Sequence, residues 1–489
     1  MMTATAAIAH DPANATADIL RRIASSLTKE KLPISEYVER AWPIIEPSRP
    51  LIKTWAIDCI LEHLAVVDLG QITRLLINIP PRTLKSITAS ILWPTWCWTD
   101  RPWLRWIFCS YSSALSLKHS RDRRRIIESP WYQKEWGDMV ALEEDQNQVQ
   151  EYQNTQRGVM VATSVGGSIT GKGGDRVVID DLINPLDAES KAIRDSSIEF
   201  FKSTLLSRLD DKKTGSIVAI EQRTHKSDLS GNILKEGGWT VLKIPAEAPT
   251  QTVVKFPLSG REIVRQEGQV ICEEREDKAT LAQLKIAMGS RAYAAQYQQE
   301  PIAIDSGYFH TGWWKFYRSN ALPDKIRSCR GWDTAVKTGQ DNDYTAACLI
   351  HQCANGYYLD PHFYKARIKY PELRQRIVSE NAARPVEMEP IEDASSGSSV
   401  IQDLQINTNI PIIPFSAVKD KVTRASIVSP LVEAGKVFLP EDAPWVADFI
   451  DNCASFPMVE HDDDIDAFMI ALMQISGKTN SGVPNVTVI

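Results

Sequence analysis

The sequence predicts an α/β protein of two successive domains, the first built on a parallel sheet. Three observations predict it. Over residues 74–93 an apolar run, a proline-containing loop, a Lys-Ser pair and an apolar helical stretch follow one another. Later, Arg176-Val-Val-Ile-Asp180-Asp181 reads as a buried strand ending in two carboxylates. From about residue 326 a second alternation of strands and helices begins, with acidic residues at its strand and helix ends. Apolar strands alternating with helices are the pattern of a parallel sheet covered by helices.

Length and composition agree with this. A chain of 489 residues is too long for one ordinary core. It is 43% hydrophobic and 24% charged, a globular composition. With no run of 18 apolar residues, no membrane span is expected, and the start lacks the basic residues of a secretory signal. The eight cysteines never stand in Cys-x-x-Cys spacing and read as buried free thiols, a structural zinc site being the lesser reading. The net charge of −7 argues against a chain coated by nucleic acid on every side, yet leaves room for a local basic groove. The densest basic stretch, 118–125, is either a solvated helix face or a contact for DNA or another subunit.

The elements are taken in order. Residues 1–50 read as a helical lead-in broken by Pro33, Pro43, Pro47 and Pro50. The first domain, 51–300, holds a helix at 52–68, a strand at 74–79 and a helix at 85–93. A strand at 104–110, a helix at 114–129, strands at 176–179 and 216–220, and a helical close over 275–299 complete it. Residues 301–325 read as a linker. The second domain, 326–475, opens with a strand ending at Asp333 and a polar turn at 337–343, where Asp341 and Asp343 are turn residues. Strands at 344–350 and 357–362, a helix at 370–381, a strand into Glu392, a helix at 400–407 and a strand at 411–415 come next. The acidic run at 461–467 opens a last helix, and 476–489 reads as a loose tail.

The loop Asn78-Ile-Pro-Pro-Arg-Thr-Leu-Lys-Ser86 is a phosphate-loop candidate. Such a loop aims backbone N–H groups and a helix N-terminus at phosphate oxygens; its lysine bridges the β and γ phosphates and the next hydroxyl holds magnesium. Here the cradle is Pro81, Arg82, Thr83, Leu84, Lys85 and Ser86, without the usual glycines. Asp180, at a strand end, is placed to hold magnesium and Asp181 to polarise the attacking water; helix capping is the plainer use of such a pair. Arg82 can set a guanidinium on the developing γ-phosphate charge. Gln222 and Arg223, after the next strand, suit a phosphate sensor or a coupling segment, or else a structural salt bridge.

Two-metal cleavage of a phosphodiester needs carboxylates from separate elements around ions about 3.5–4 Å apart. Asp333, Glu392 and Asp463 are such a dispersed set, and Asp466 shares a helix face with Asp463. Each alone reads as a cap or a solvated charge. Their order along the chain favours a metal site. Lys419 and Lys421 are placed either for a DNA phosphate or as surface lysines.

Together these segments closely resemble the large terminase subunit of tailed bacteriophages over residues 50–475, most specifically at 75–86, 129–132, 162–167, 173–181, 222–231, 391–397, 435–440 and 461–467. The resemblance implies an ASCE-type P-loop NTPase domain followed by an RNase H-like nuclease domain. It implies ATP and Mg²⁺, with Mn²⁺ an alternative at the nuclease site. It carries phosphate and magnesium roles to Lys85, Ser86 and Asp180, coupling to Gln222 and Arg223, and nuclease roles to Asp333, Glu392 and Asp463, with Asp466 rival or helper. Implied partners are double-stranded DNA, the small terminase subunit, the portal protein of the prohead and further copies in a ring, with Arg157 and the 121–125 arginines as candidates for an arginine supplied in trans. The implied place is the host bacterial cytoplasm and, transiently, the portal, not the mature virion. Two departures stand out: Asp181 occupies the place of a catalytic glutamate in many members, and no glutamine motif for adenine is evident near Trp55. A helicase-like or repair ATPase fused to a nuclease, and a structural portal-binding protein with decayed sites, are the alternatives.

Overall fold

The computed structural model describes residues 31–302, 307–334, 344–368, 370–393, 397–416, 420–459 and 461–478. The expectations for residues 1–30, for the turn with Asp341 and Asp343, for Lys419 and for the tail beyond 478 lie outside them. The chain divides into two compact units, Met1–Lys278 with Ala294–Pro301, and Ala279–Tyr293 with Ile302–Ile489.

The first unit is organised by eight strands: β1 (Arg74–Asn78), β2 (Trp106–Ser110), β3 (Leu142–Asn147), β4 (Glu151–Asn154), β5 (Val159–Ser164), β6 (Arg176–Asp180), β7 (Ser216–Glu221) and β8 (Thr240–Lys243). Their order in the sheet is β3-β4-β5-β2-β6-β7-β1-β8. The six strands from β5 to β8 in that order run parallel, and β3 and β4 extend the edge antiparallel. Strands buried on both faces read as continuous apolar runs, and the pleat sorts their side chains. Leu75, Ile77, Phe108, Val178 and Val218 enter one core, whereas Leu76, Ile107, Val177, Ile179 and Ile217 enter the other. The polar β3 carries no such run, which is why the sequence does not announce it. A separate hairpin, β9 (Thr252–Lys255) with β10 (Glu262–Arg265), is equally unannounced.

The described part of the lead-in expected before residue 51, residues 31–50, is part of this core. A helix spans Ile34–Ile45 with Pro33 as its N-cap and Pro43 in its last turn. Tyr37 is fully buried and its ring lies 5.4 Å from that of Trp131 and 5.8 Å from that of Trp136.

The second unit is a seven-stranded mixed sheet of β11 (Lys315–Tyr317), β12 (Arg327–Thr334), β13 (Thr345–Cys353), β14 (Gly356–Ala366), β15 (Glu389–Asp393), β16 (Ile412–Ser416) and β17 (Val437–Pro440). The order is β11-β17-β14-β13-β12-β15-β16, with β12, β13 and β14 an antiparallel meander and the outer pairs parallel. The segment expected as a linker therefore contributes a strand, and Tyr308, Phe309 and Trp314 enter this unit's core. The helical close expected over 275–299 is two helices, Lys278–Met288 and Ser290–Gln296, broken at Gly289, whose φ is +81°. Most of the first belongs to the second unit.

One close approach positions the second site. A Cβ built on Gly331 in β12 would stand 2.5 Å from the Ala471 nitrogen and 2.6 Å from the Ala467 oxygen of the helix Asp463–Ile475. Both obstacles are backbone, so neither yields by a rotamer change. Gly331→Ala is expected to destabilise the fold by about 2–3 kcal/mol, the upper range of overpacking, read as a lower denaturation midpoint; an unchanged midpoint would contradict this packing.

Candidate active sites

Parallel α/β sheets bind ligands beyond the carboxyl ends of their strands, and the first unit gathers its candidate residues there. The loop after β1 turns with Thr83 donating to the Pro80 oxygen at 2.7 Å. Arg82 and Leu84 have φ of +62° and +64°, the left-handed region that a phosphate loop ordinarily fills with glycine. The missing glycines thus change the residue types and not the backbone path. A π-helical stretch, Ile87–Leu92, comes next and runs into the helix Trp93–Cys97; π turns concentrate at functional sites.

Lys85 is buried and its ammonium lies 2.6 Å from Asp181 Oδ1. Ser86 Oγ donates to Asp180 Oδ1 at 2.7 Å, and Ser90, one turn on, donates to Asp180 Oδ2 at 2.7 Å. Burial pushes both carboxyls above their ordinary range, and Lys85 pulls both back. Asp181 takes a φ of +47° and accepts the Gln222 N–H at 2.9 Å. The Ser86 hydroxyl and the Asp180 carboxylate are hard oxygen donors of the kind magnesium takes, and Lys85 brings its charge beside them at Asp181, so the residues fit a magnesium-nucleotide. Arg82 is exposed in the loop, its carbonyl held by Arg275. Arg223 is buried, its Nε 3.1 and 3.0 Å from the Asp228 carboxylate oxygens, so the structural salt bridge is the arrangement observed. Trp55 donates to the Ile271 oxygen at 3.0 Å. Arg157 is exposed.

Three groups here escape a reading of the sequence. Ser90 repeats the Ser86 hydroxyl at a spacing of four, the one signal that could have found it. His119 comes from the helix Ser113–Ile127 and places Nδ1 3.4 Å from Asp180 Oδ2. Burial, then Arg123 and Lys118, hold its pKa down to about 4, so this contact is not an ion pair near neutral pH. Arg123 is itself buried and donates to the Ser90 oxygen at 2.6 Å. The basic run is therefore core on one side and exposed at Arg121 and Arg125 on the other.

The third is Glu221, the last residue of β7. It accepts the Leu182 N–H at 3.3 Å and the Ser230 hydroxyl at 2.9 Å, and Ser230 in turn receives Asn78 at 2.8 Å. Burial, then Asp228 and Asp181, push its pKa up to about 8. The folded value lies above the unfolded one, so the folded state keeps a proton that the unfolded chain releases. Its contribution to stability is full below about pH 4.5 and is lost as pH rises toward 8. Glu221→Gln should flatten that decline, which at about 1.4 kcal/mol per pH unit amounts to a few kcal/mol; identical melting-temperature profiles from pH 5 to 8 would refute it.

In the second unit, one oxygen from each of Asp333, Glu392 and Asp466 lies within 4.8 Å of the others. They arrive on β12, on β15 and in the first turn of the helix Asp463–Ile475. Asp463, expected as the third member, heads that helix but stands outside the trio; Asp466 takes its place. The helix packing on Gly331 sets which carboxylate turns inward. Burial, then Asp466, push the Asp333 carboxyl well up, and burial raises Asp466 to about 6 against the pull of Arg424 and Lys421. Arg424 reaches Asp466 at 2.6 Å and also contacts Glu392. Lys421 lies 3.6 Å from Asp466, 3.9 Å from Asp333 and 2.6 Å from Asp462. These cations occupy the position of counter-charge in a carboxylate cluster whose donors suit Mg²⁺ or Mn²⁺. Beneath it, buried Glu389 binds Arg330 at 3.0 Å and the Trp332 indole at 2.7 Å, fixing the neighbours of Glu392 and Asp333.

All eight cysteines are free and seven are buried. Among the described residues no helix is long and apolar enough to cross a membrane.

Residues 330–474 match the family model described as the terminase RNaseH-like domain. No curated protein matches the chain. Among solved structures, the large terminase of a thermophilic bacteriophage in one crystal form has a TM-score of 0.53 at 9% identity, covering 84% of this chain and 98% of that one. The same terminase in complex with ADP has a TM-score of 0.50 at 10% identity, again covering 84% and 98%. Residues 330–474 thus match the terminase RNase H-like family model, and the chain has the fold seen in a phage large terminase.

Proposed function

We propose that this chain is the motor and nuclease of viral DNA packaging, hydrolysing ATP to translocate double-stranded DNA into a prohead and cutting concatemeric DNA. One observation carries it: a Lys-Ser pair facing Asp180 and Asp181 in one unit, and a three-carboxylate cluster in the other. In the first site Lys85 neutralises phosphate charge, Ser86 and Asp180 hold Mg²⁺, and Asp181 orients water. The link from Asp181 to the Gln222 N–H is a direct path from hydrolysis to the 222–231 segment. In the second, Asp333, Glu392 and Asp466 hold divalent metal, which supplies Lewis acidity and an activated water. Lys421 and Arg424 keep the cluster's charge balanced. The thermophilic phage terminase bound to ADP supports a nucleotide in the first unit. Small terminase subunit, portal protein and a ring of copies are the partners this reading requires, in the cytoplasm of an infected bacterium.

The test is the purified protein on plasmid DNA with Mg²⁺ or Mn²⁺, beside Asp333→Ala, with ATP hydrolysis followed in the same tubes. Cleavage is expected to vanish in the variant while ATP turnover persists in both. Equal loss of both activities in a folded variant would contradict the division of labour.

A further inference from the structure

Beside the carboxylate cluster, the pleat lays out a row of side chains across four strands. Trp332 of β12 pairs with Ile391 of β15, so Asp333 and Glu392 stand together one residue on. Asp333 pairs with Ala346 of β13, and Ala346 with Lys365 of β14. Residues directly opposite in neighbouring strands point to the same face. The row Glu392, Asp333, Ala346, Lys365 therefore lies on one face, the face covered by the helix Asp463–Ile475. Two strand spacings separate Asp333 from Lys365, about 10 Å.

At the far end of that row the chemistry changes from anionic to cationic and aromatic. The Lys365 ammonium lies 5.3 Å from the Tyr344 ring centroid and the Arg367 guanidinium 4.5 Å from it. His461, next to the acidic run, meets the same ring edge-on at 5.2 Å. Lys365 is tied to Asp464 at 3.0 Å, which Asn452 also reaches at 3.2 Å. Arg367 is different. It is exposed, and among the described residues its guanidinium has no carboxylate partner. A guanidinium resting on an aromatic ring keeps its N–H edge outward, the geometry that takes a phosphate by two parallel hydrogen bonds.

We propose that Arg367, carried on Tyr344 and flanked by Lys365, is a phosphate-contact subsite that holds the DNA strand beside the cleavage centre. This rests on the nuclease reading of Asp333, Glu392 and Asp466. With one charge per about 3.4 Å of axis along each strand, the separation of about 10 Å from Asp333 to Lys365 already spans about three phosphates, and Arg367 lies two residues beyond it. A cation there offsets the repulsion between the acidic cluster and the incoming backbone. His461 and Lys365 fix the ring and so position the guanidinium. No part of the subsite enters the chemical step; it acts on the capture of DNA.

The test uses the full-length protein with Mg²⁺ and plasmid DNA, measuring kcat and KM between about 50 and 200 mM salt, the range in which phosphate contacts show. Arg367→Ala should raise KM about tenfold, the effect of one charge-assisted hydrogen bond, with kcat at saturating DNA and ATP turnover retained. The slope of log(kcat/KM) against log[salt] should become shallower by about 0.9, one phosphate contact. Arg367→Lys should restore the slope, and Tyr344→Phe should behave as wild type while Tyr344→Ala follows Arg367→Ala. An unchanged KM and salt slope in Arg367→Ala, with cleavage still abolished by Asp333→Ala, would overturn the subsite and leave the nuclease reading standing. No metal-dependent cleavage by folded wild type would overturn the nuclease reading, and the subsite with it.

Discussion

Asp466→Asn is expected to lower metal-dependent DNA cleavage by more than about 10²-fold, because even partners one shell removed from a metal cost about 10- to 100-fold. Asp463→Asn, three residues earlier, should retain most of the activity. The contrast comes from placement: Asp466 brings an oxygen within 4.8 Å of Asp333 and Glu392, and Asp463 is not of that trio. Asp466 is fully buried and also partners Arg424, so the melting temperature is measured beside cleavage. Arg424 keeps Glu392 as a second partner in the variant, and the fold is expected to be retained. Loss of cleavage together with loss of fold would show that Asp466 is structural. Equal cleavage defects in both variants would show a larger ligand set than the trio.

Lys85→Ala is expected to reduce ATP turnover by about 10²–10³-fold, the size of effect seen when one preorganised electrostatic partner of a transition state is removed. Cleavage of DNA without ATP should survive, since the carboxylate cluster lies in the other unit. A second consequence separates this from a simple loss of binding. Lys85 is the main group opposing the burial of Asp180 and Asp181. Without it their folded pKa values rise further above the unfolded ones, and the added instability grows as pH rises out of the acid range. Stripping one partner from a buried ion pair costs about 3–5 kcal/mol, so the variant should melt below wild type at pH 7 and approach it near pH 4. Unchanged ATP turnover would remove Lys85 from the reaction.

The strand-end residues of the first unit are legible in the sequence because their elements are. Lys85 and Asp180 come after the apolar runs 75–79 and 177–179, and ligands gather at the carboxyl ends of such strands; Asp333 and Glu392 end mixed, partly charged strands and are legible only as members of an ordered acidic set. Asp463 and Asp466 are not separable there: they share a helix face, and the helix rotation is fixed by tertiary packing, including the contact of Ala467 and Ala471 with Gly331. His119, Glu221 and Arg424 join their sites from other elements, a relation that spacing along the chain does not encode. The charged hairpin of β3 and β4 and the short β11 lack the apolar alternation by which strands are read.

The row from Glu392 to Lys365 also sets which insertions and deletions this gene tolerates. β12 pairs with β13 through eight consecutive residues without a break, whereas the β13–β14 pairing already shifts register between Cys348 and Ile350. A single-residue slip turns every side chain of a strand to its opposite face. Losing one codon from β12 ahead of Asp333 would move Asp333 into the place of Trp332, on the opposite face, and put Thr334 where the carboxylate belongs. The same loss near the irregularity between β13 and β14 has a place to be absorbed. Length variation among descendants of this sequence should therefore avoid 327–333 and collect beside 348–350.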